Sequence, residues 1–194
     1  MAETTPVQIT VMTTVMELAV FGHTDERALK ELAEQVRDEL TEDPRVSQVR
    51  ILYARPYQVS VEVSEHALRQ YGLSFDGIAE AIRGASLDVP GGVVKSESGE
   101  ILLRTRGQRY AGAEFADIAV MKRPDGTVLT LGEIATIVAG FEDTDLRVRY
   151  DGEPALLLQV SRVGDEDTLE VARAVKEYLG RKRAELPEGM AIEI

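Results

Sequence analysis

Leu32-Ala33-Glu34-Gln35-Val36-Arg37-Asp38-Glu39-Leu40 and Val171-Ala172-Arg173-Ala174-Val175-Lys176-Glu177-Tyr178-Leu179 carry one apolar stripe twice. In the first, Leu32, Ala33, Val36 and Leu40 recur at i, i+1, i+4 and i+8. In the second, Val171, Ala172, Val175 and Leu179 repeat that pattern at a constant offset of 139 residues. Such spacing puts the four side chains on one face of a helix. Each stripe also has the same flanks: an apolar strand over 15–21, a helix over 25–41 and a return strand over 46–52, then a strand over 155–163, a helix over 167–186 and a strand over 190–194. Neither βαβ unit buries its sheet face alone. The two are therefore expected to meet edge to edge in a four-stranded sheet with both helices on one side. This is the split βαβ plan of an α+β fold, ferredoxin-like, with residues between the units forming an insertion.

Composition narrows the function classes. The chain has 194 residues, 44% of them apolar, enough for one good core or two modest ones. Acidic residues outnumber basic ones by 34 to 22, leaving a net charge of −12. The phosphate-neutralising term that dominates nucleic-acid affinity is missing, so no nucleic-acid partner is expected. With no cysteine, disulfides, thiolate metal sites and thiol chemistry are all excluded, and the compartment stays open between cytosol and periplasm. No window approaches the roughly 18 to 20 apolar residues that cross a bilayer, and residues 1–6 lack the basic and apolar regions of a secretory signal. The sequence reads as a soluble polypeptide, or as a soluble piece of a membrane protein.

The insertion has its own punctuation. Tyr57, Val59, Val61 and Val63 alternate with Gln58, Ser60 and Glu62, a strand with one buried face. Ser64 is placed to cap a helix over 65–71 closed by Gly72, and Ser74 to cap a second over 75–83 that buries Ile78, Ala79 and Ile82. Strands over 93–95 and 101–106, joined through Ser96-Glu97-Ser98-Gly99, read as a hairpin arm. Arg123-Pro124-Asp125-Gly126 reads as a tight turn between strands over 118–122 and 127–131. Segments 134–139 and 145–150 lead back to the second βαβ unit.

Five motifs in order carry a resemblance. Tyr71-Gly72-Leu73-Ser74, followed by Ile78, Ala81-Ile82-Arg83 and Val89-Pro90-Gly91-Gly92, is the first. Asp125-Gly126 with Leu131-Gly132-Glu133-Ile134-Ala135 comes next, then Gly152-Glu153-Pro154-Ala155. Gly164 with Thr168-Leu169, Val171-Ala172 and Ala174-Val175, and then Leu186-Pro187-Glu188-Gly189, complete the series. Together they resemble RND (resistance-nodulation-division) efflux transporters of the acriflavine-resistance, hydrophobe/amphiphile efflux type. Ser86 and Asp167 stand where that family usually has Asn, both at turn or cap sites, and the arm tip over 96–99 is shorter than the long interlocking hairpin of its best-known members.

The resemblance implies a pore subdomain over 7–63 and 150–194, interrupted by a docking subdomain over 64–149. It places both in the periplasmic portion of a proton-driven bacterial inner-membrane pump. The docking arm would involve Val93, Lys95, Glu97, Gly99, Leu102 and Arg104. Implied partners are hydrophobic or amphiphilic small molecules, a periplasmic adaptor, an outer-membrane channel and, in the intact transporter, two further copies in a homotrimer. The other pore subdomain, the transmembrane helices and the proton-relay acids would lie outside this chain. The segment alone is thus expected to be monomeric and not to transport. Val15, Leu18, Tyr53, Leu146, Val148 and Leu157 match the family's cleft-lining positions. For any one of the aliphatic positions Val15, Leu18, Val148 and Leu157, ordinary sheet core is the better explanation than ligand contact, because period-2 strands need an apolar face anyway. Tyr53, before Arg55-Pro56, is the stronger candidate, since an aromatic there gains more from a flat apolar ligand than from folding.

Catalytic readings find no support. His23 beside Thr24-Asp25 and His66 beside Glu65 are explained as cap or solvated residues, with no second His or Cys to complete a site. Asp25, Glu26, Asp165, Glu166 and Asp167 are explained by helix N-termini rather than a metal. Met12 and Met16 share a strand face, but a soft-metal site needs a third ligand and none is evident. Gly84 and Gly91-Gly92 lack the Lys and Ser/Thr of a phosphate loop. The chain is expected not to be an enzyme and to hold no metal or cofactor. Two other readings stay open: a metal-exporting RND relative, and a stand-alone ferredoxin-like module that binds and regulates through a small molecule.

Overall fold

The computed structural model describes residues 12–85, 93–95, 100–105, 112–122, 126–164 and 166–194. In chain order the elements are β1 (Met12–Gly22), α1 (Glu26–Thr41), β2 (Gln48–Leu52), β3 (Tyr57–Val63), α2 (Glu65–Tyr71), α3 (Phe75–Gly84), β4 (Val93–Lys95) and β5 (Glu100–Thr105). They continue as α4 (Gly112–Ala116), β6 (Ala119–Lys122), β7 (Val128–Thr130), α5 (Leu131–Ile134), β8 (Ala135–Phe141), β9 (Val148–Tyr150), β10 (Glu153–Val163), α6 (Thr168–Lys182) and β11 (Met190–Glu193). The protein is α+β, and among the described residues every paired strand is antiparallel. It divides into two compact units, residues 1–54 with 145–194, and residues 55–144.

In the first unit, an aspartate with extended backbone opens each long helix. Asp25 accepts from the Ala28 N–H at 3.0 Å and Asp167 from the Leu169 N–H at 2.8 Å. Each cap satisfies a free donor and sets an acid at the positive end of the helix dipole. α1 then buries Leu29, Leu32, Ala33, Val36 and Leu40, and α6 buries Val171, Ala174, Val175 and Leu179. Ala172, expected in the stripe, is only half-buried, and Ala174 takes the buried place. Both stripes join one core with Leu18, Val20, Val49, Leu156, Leu158, Val160 and Ile192 from the sheet. Each such buried Leu, Val or Ile contributes about 1.5–3 kcal/mol.

The strand order is β11-β1-β10-β2, with β9 also pairing to β10. The two βαβ units therefore interleave rather than meeting edge to edge: β10 lies between the strands of the first unit, and β1 between those of the second. Geometry accounts for this. A helix about 10 Å wide covers two strand spacings of about 4.8 Å, so each crossover leaves room for one strand of the other unit. At the end of β1, Gly22 meets the backbone before β11. A Cβ added to Gly22 would lie 2.1 Å from the Gly189 carbonyl oxygen, to which the His23 N–H donates at 3.1 Å.

The second unit is built on a sheet of order β4-β5-β3-β8 and a β6–β7 hairpin. Val59, Val61 and Val63 of β3 pack with Ile78, Ala79, Ile82, Ile101, Phe115, Leu131 and Ile134. Ser64 and Ser74 cap α2 and α3, and Gly72 adopts the left-handed conformation (φ 64°) that closes α2. The segment over 134–139 begins with the last residue of α5 and continues into β8. β3 falls in the expected first half of the split domain (7–63), and Val148 and Arg149 of β9 in the expected insertion (64–149), with Tyr150 in the expected second half (150–194). By hydrogen bonding β3 belongs to the second unit's sheet and β9 to the first unit's. β4 and β5 pair as the expected hairpin, with Val93 opposite Leu103, Val94 opposite Leu102 and Lys95 opposite Ile101. Its tip, with Glu97 and Gly99, lies outside the described residues, as do Ser86, residues 89–92, 123–125 and Asp165.

Polar clasps tie α1 to α6. The Glu39 carboxylate accepts from Gln35 Nε2 (2.6 Å), Tyr178 Oη (2.7 Å) and the nearly buried Lys182 Nζ (2.8 Å). Burial alone would raise the Glu39 carboxyl, but the hydrogen bonds from Lys182, Tyr178 and Gln35 outweigh it and hold it below the usual range. Arg45, just past α1, makes a two-pronged contact to Asp43 (2.9 and 2.7 Å) and reaches Glu177 of α6 at 2.9 Å. Hydrogen bonds from the Arg45 side chain and backbone hold the Asp43 carboxyl at about 2.

Two expectations follow for this unit. Val36→Asp or Val175→Asp, each burying a lone carboxylate, destabilises by about 3 kcal/mol or more in urea titration; a loss below 1 kcal/mol contradicts the packing described. Because the Asp43 carboxyl is depressed when folded, its stabilisation is complete above the ordinary value of 3.8 and is lost as pH falls towards about 2. Asp43→Asn removes that part of the acid sensitivity, read as a flatter stability–pH curve between pH 4 and 2.

Candidate functional site

The two faces of the first unit's sheet differ because paired residues in antiparallel strands point the same way. Leu18, Val20, Leu156, Leu158 and Val160 face α1 and α6. Their neighbours in sequence face away. From the register, this other face is a grid. Glu17, Gln159 and Arg50 form one row across β1, β10 and β2. Ala19, Leu157 and Leu52 form the next, and Phe21, Ala155 and Val148 of β9 the third. Beyond them Tyr150 stands opposite Glu153.

Ala19 and Ala155 are buried, while Phe21, Leu52, Val148 and Leu157 around them are half-buried. The Phe21 and Tyr150 rings meet at 4.6 Å between centroids, tilted by 45°. β9 brings Tyr150 there through a two-residue turn, Asp151-Gly152, with both residues at positive φ (50° and 85°), the backbone that an Asp-Gly pair favours in a hairpin. The result is an apolar strip two rows deep. A polar row bounds it at one end and Glu153 at the other, with His23 Nδ1 3.6 Å from the Glu153 carboxylate, while on the β11 side Glu193, paired with Arg183 at 2.9 Å, stands beside Ala19.

The residues expected to line a cleft divide between the faces. Val148 and Leu157 come together on the helix-free face. Tyr53 follows Leu52 directly, is 51% exposed and holds a positive φ of 60°, a conformation a tyrosine adopts only under local constraint. Leu146 is 41% exposed just before β9. Leu18, by contrast, is fully buried beneath the helices and offers a ligand no surface. Val15 is the extra residue of a β-bulge, where Thr14 pairs with Ser161 and Met16 with Val160, and it packs against the same core. Phe21, Leu52 and Tyr150 escaped the sequence reading. The signal for Phe21 was strand parity, since it stands an odd number of residues from Leu18.

Other chemistry is sparse. Among the described residues no three of His, Asp and Glu gather closely enough to hold a metal ion. A shallow recess lined by Glu39, Glu42, Tyr178, Arg181, Lys182 and Glu185 lies at the helix clasp, where Glu39, Tyr178 and Lys182 already satisfy one another. Among the described residues no helix is long and apolar enough to cross a membrane.

Comparison with known proteins gives these faces a context. Similar chains include the toluene efflux pump membrane transporter TtgE of Pseudomonas putida, 26% identical over 83% of this chain and 16% of the relative. Multidrug resistance protein MdtF of Escherichia coli is 25% identical over 82% of this chain and 16% of its own length. Multidrug resistance protein MdtC of Edwardsiella ictaluri is 26% identical over 70% and 13%. The chain thus spans about one-sixth of these relatives. The model of the AcrB/AcrD/AcrF family matches residues 2–194. With that match covering nearly every residue, and the ordered motifs already pointing to RND transporters, the chain belongs to the AcrB/AcrD/AcrF family.

Proposed function

We propose that this chain is the periplasmic pore-and-docking segment of an inner-membrane, proton-driven RND efflux pump, and that the helix-free face of its first unit forms part of the substrate cleft. The observation that carries the proposal is the apolar strip with its Phe21–Tyr150 contact, on a sheet face that no helix of its unit covers among the described residues. Clefts for amphiphilic ligands are concave or flat apolar surfaces with a few polar groups at their borders, and aromatic rings supply most of the contact energy. Val148, Leu157, Tyr53 and Leu146 line the cleft in this reading, joined by Phe21, Leu52 and Tyr150. Val15 and Leu18 support it from the core side.

In the same reading the first unit is the split βαβ, ferredoxin-like pore subdomain; its strand order and two same-side helices support this. The second unit is the docking subdomain. Its β4–β5 hairpin, with Lys95, Leu102 and Arg104, serves as a short arm toward neighbouring protomers, the periplasmic adaptor and the outer-membrane channel. The relatives' names as efflux and multidrug resistance proteins support export of apolar or amphiphilic compounds rather than catalysis. The segment alone does not transport.

Amphiphilic dyes are expected to bind the isolated chain weakly, with Kd at roughly high micromolar or poorer, since only part of a cleft is present. Tyr150→Ala and Tyr53→Ala each weaken binding by about tenfold, the effect of losing about 1.4 kcal/mol of aromatic contact, while circular dichroism shows the fold intact. Unchanged affinity in both folded variants removes this face from the substrate path.

A further inference from the structure

We infer that the polar row at the end of the apolar strip, Glu17–Gln159–Arg50, reads the head group of the ligand and selects zwitterionic amphiphiles over singly charged ones. This rests on the reading of the helix-free face as a ligand surface and adds to it which ligands that surface prefers.

The row is fixed by strand register. Glu17 of β1 stands opposite Gln159 of β10, and Gln159 opposite Arg50 of β2. All three side chains share the face that carries Ala19, Leu157 and Leu52 in the next row. Gln159 Nε2 donates to Glu17 Oε1 at 3.3 Å, which holds the carboxylate over the sheet. Glu17 and Arg50 are exposed. Two strand spacings separate their backbones by about 10 Å, so the intervening amide keeps the opposite charges from collapsing onto each other. An acid and a base are thereby presented side by side at the edge of an apolar strip.

Charge complementarity follows. A tail or ring system laid on Ala19, Leu157, Leu52 and Phe21 brings its head to this row. A cationic head gains from Glu17 and is repelled by Arg50, and an anionic head meets the reverse. A head carrying both charges a few bonds apart gains from both, with the guanidinium suited to the flat oxygens of a carboxylate or sulfonate. Each interaction is partly exposed, worth about 0.4–1 kcal/mol in the upper part of the range for such pairs, so each charge changes affinity by about two- to fivefold.

The test measures binding of three probes with the same alkyl chain below their micellar concentrations, at physiological salt: a sulfobetaine, a trimethylammonium and a sulfate. Isothermal titration is run on the full chain and on Glu17→Gln, Arg50→Gln and Phe21→Ala. The wild type is expected to prefer the sulfobetaine. Glu17→Gln weakens the cation and strengthens the anion, Arg50→Gln does the opposite, and both weaken the sulfobetaine by about two- to fivefold. Such opposite-signed responses do not arise from a general loss of structure. If both charge variants leave all probes unchanged, or move them together, while Phe21→Ala weakens all three, the head-group inference fails and the ligand face stands. If Phe21→Ala, checked for fold by circular dichroism, also changes nothing, the ligand face itself is wrong.

Discussion

The β1–β10 ladder is the contact on which the first unit depends. It runs from Met12 opposite Val163 to Phe21 opposite Ala155, and it joins stretches of chain that the whole second unit separates in sequence. Closing so long a loop carries an entropic penalty that grows only slowly with length, and the ladder offsets it with a run of backbone hydrogen bonds and the shared core beneath. Once β1 and β10 pair, β2 and β11 can add only at the outer edges. The strand order, and the two helices side by side on one face, follow from that central pair.

The same ladder separates core from surface. Leu18 opposite Leu158 and Val20 opposite Leu156 point into the helices, so Ala19 opposite Leu157 and Phe21 opposite Ala155 must point away. One face is thus committed to stability. The other, edged by Glu17, Gln159 and Arg50, has no helix of this unit over it among the described residues and is the face proposed to meet a ligand. The bulge at Val15 adjusts the register at the start of β1, where the strand leaves the strip. The helix layer is held by side chains that serve each other: Glu39 with Tyr178 and Lys182, and Asp43 with Arg45 and Glu177.

Local signals in the sequence were legible because their physics is local. The stripes of α1 and α6, the caps Asp25, Ser64, Ser74 and Asp167, and the closing Gly72 need only neighbouring residues to be read. The interleaving of the βαβ units was not legible, since partner choice between strands depends on contacts across the insertion. The Asp151-Gly152 turn was there to be read as a hairpin signal, but its strands are uneven: β9 has three residues and β10 eleven. The cleft candidates divide by strand parity. Val15 and Leu18 stand three apart, a separation that puts residues on opposite faces of a regular strand; only the bulge at Val15 brings both to the core side. Leu157 proved to be on the helix-free face although its neighbours Leu156 and Leu158 are core, because an unbroken run of three leucines hides the alternation.

Nuclear magnetic resonance titration of the isotope-labelled chain with an amphiphilic dye tests the division of the sheet into a core face and a ligand face most directly. Shifts are expected to concentrate on Phe21, Val148, Tyr150 and Leu157, with Leu18, Leu158, Val36 and Val175 unmoved. Shifts confined to the recess around Glu39 and Tyr178, or to the second unit, would contradict that division.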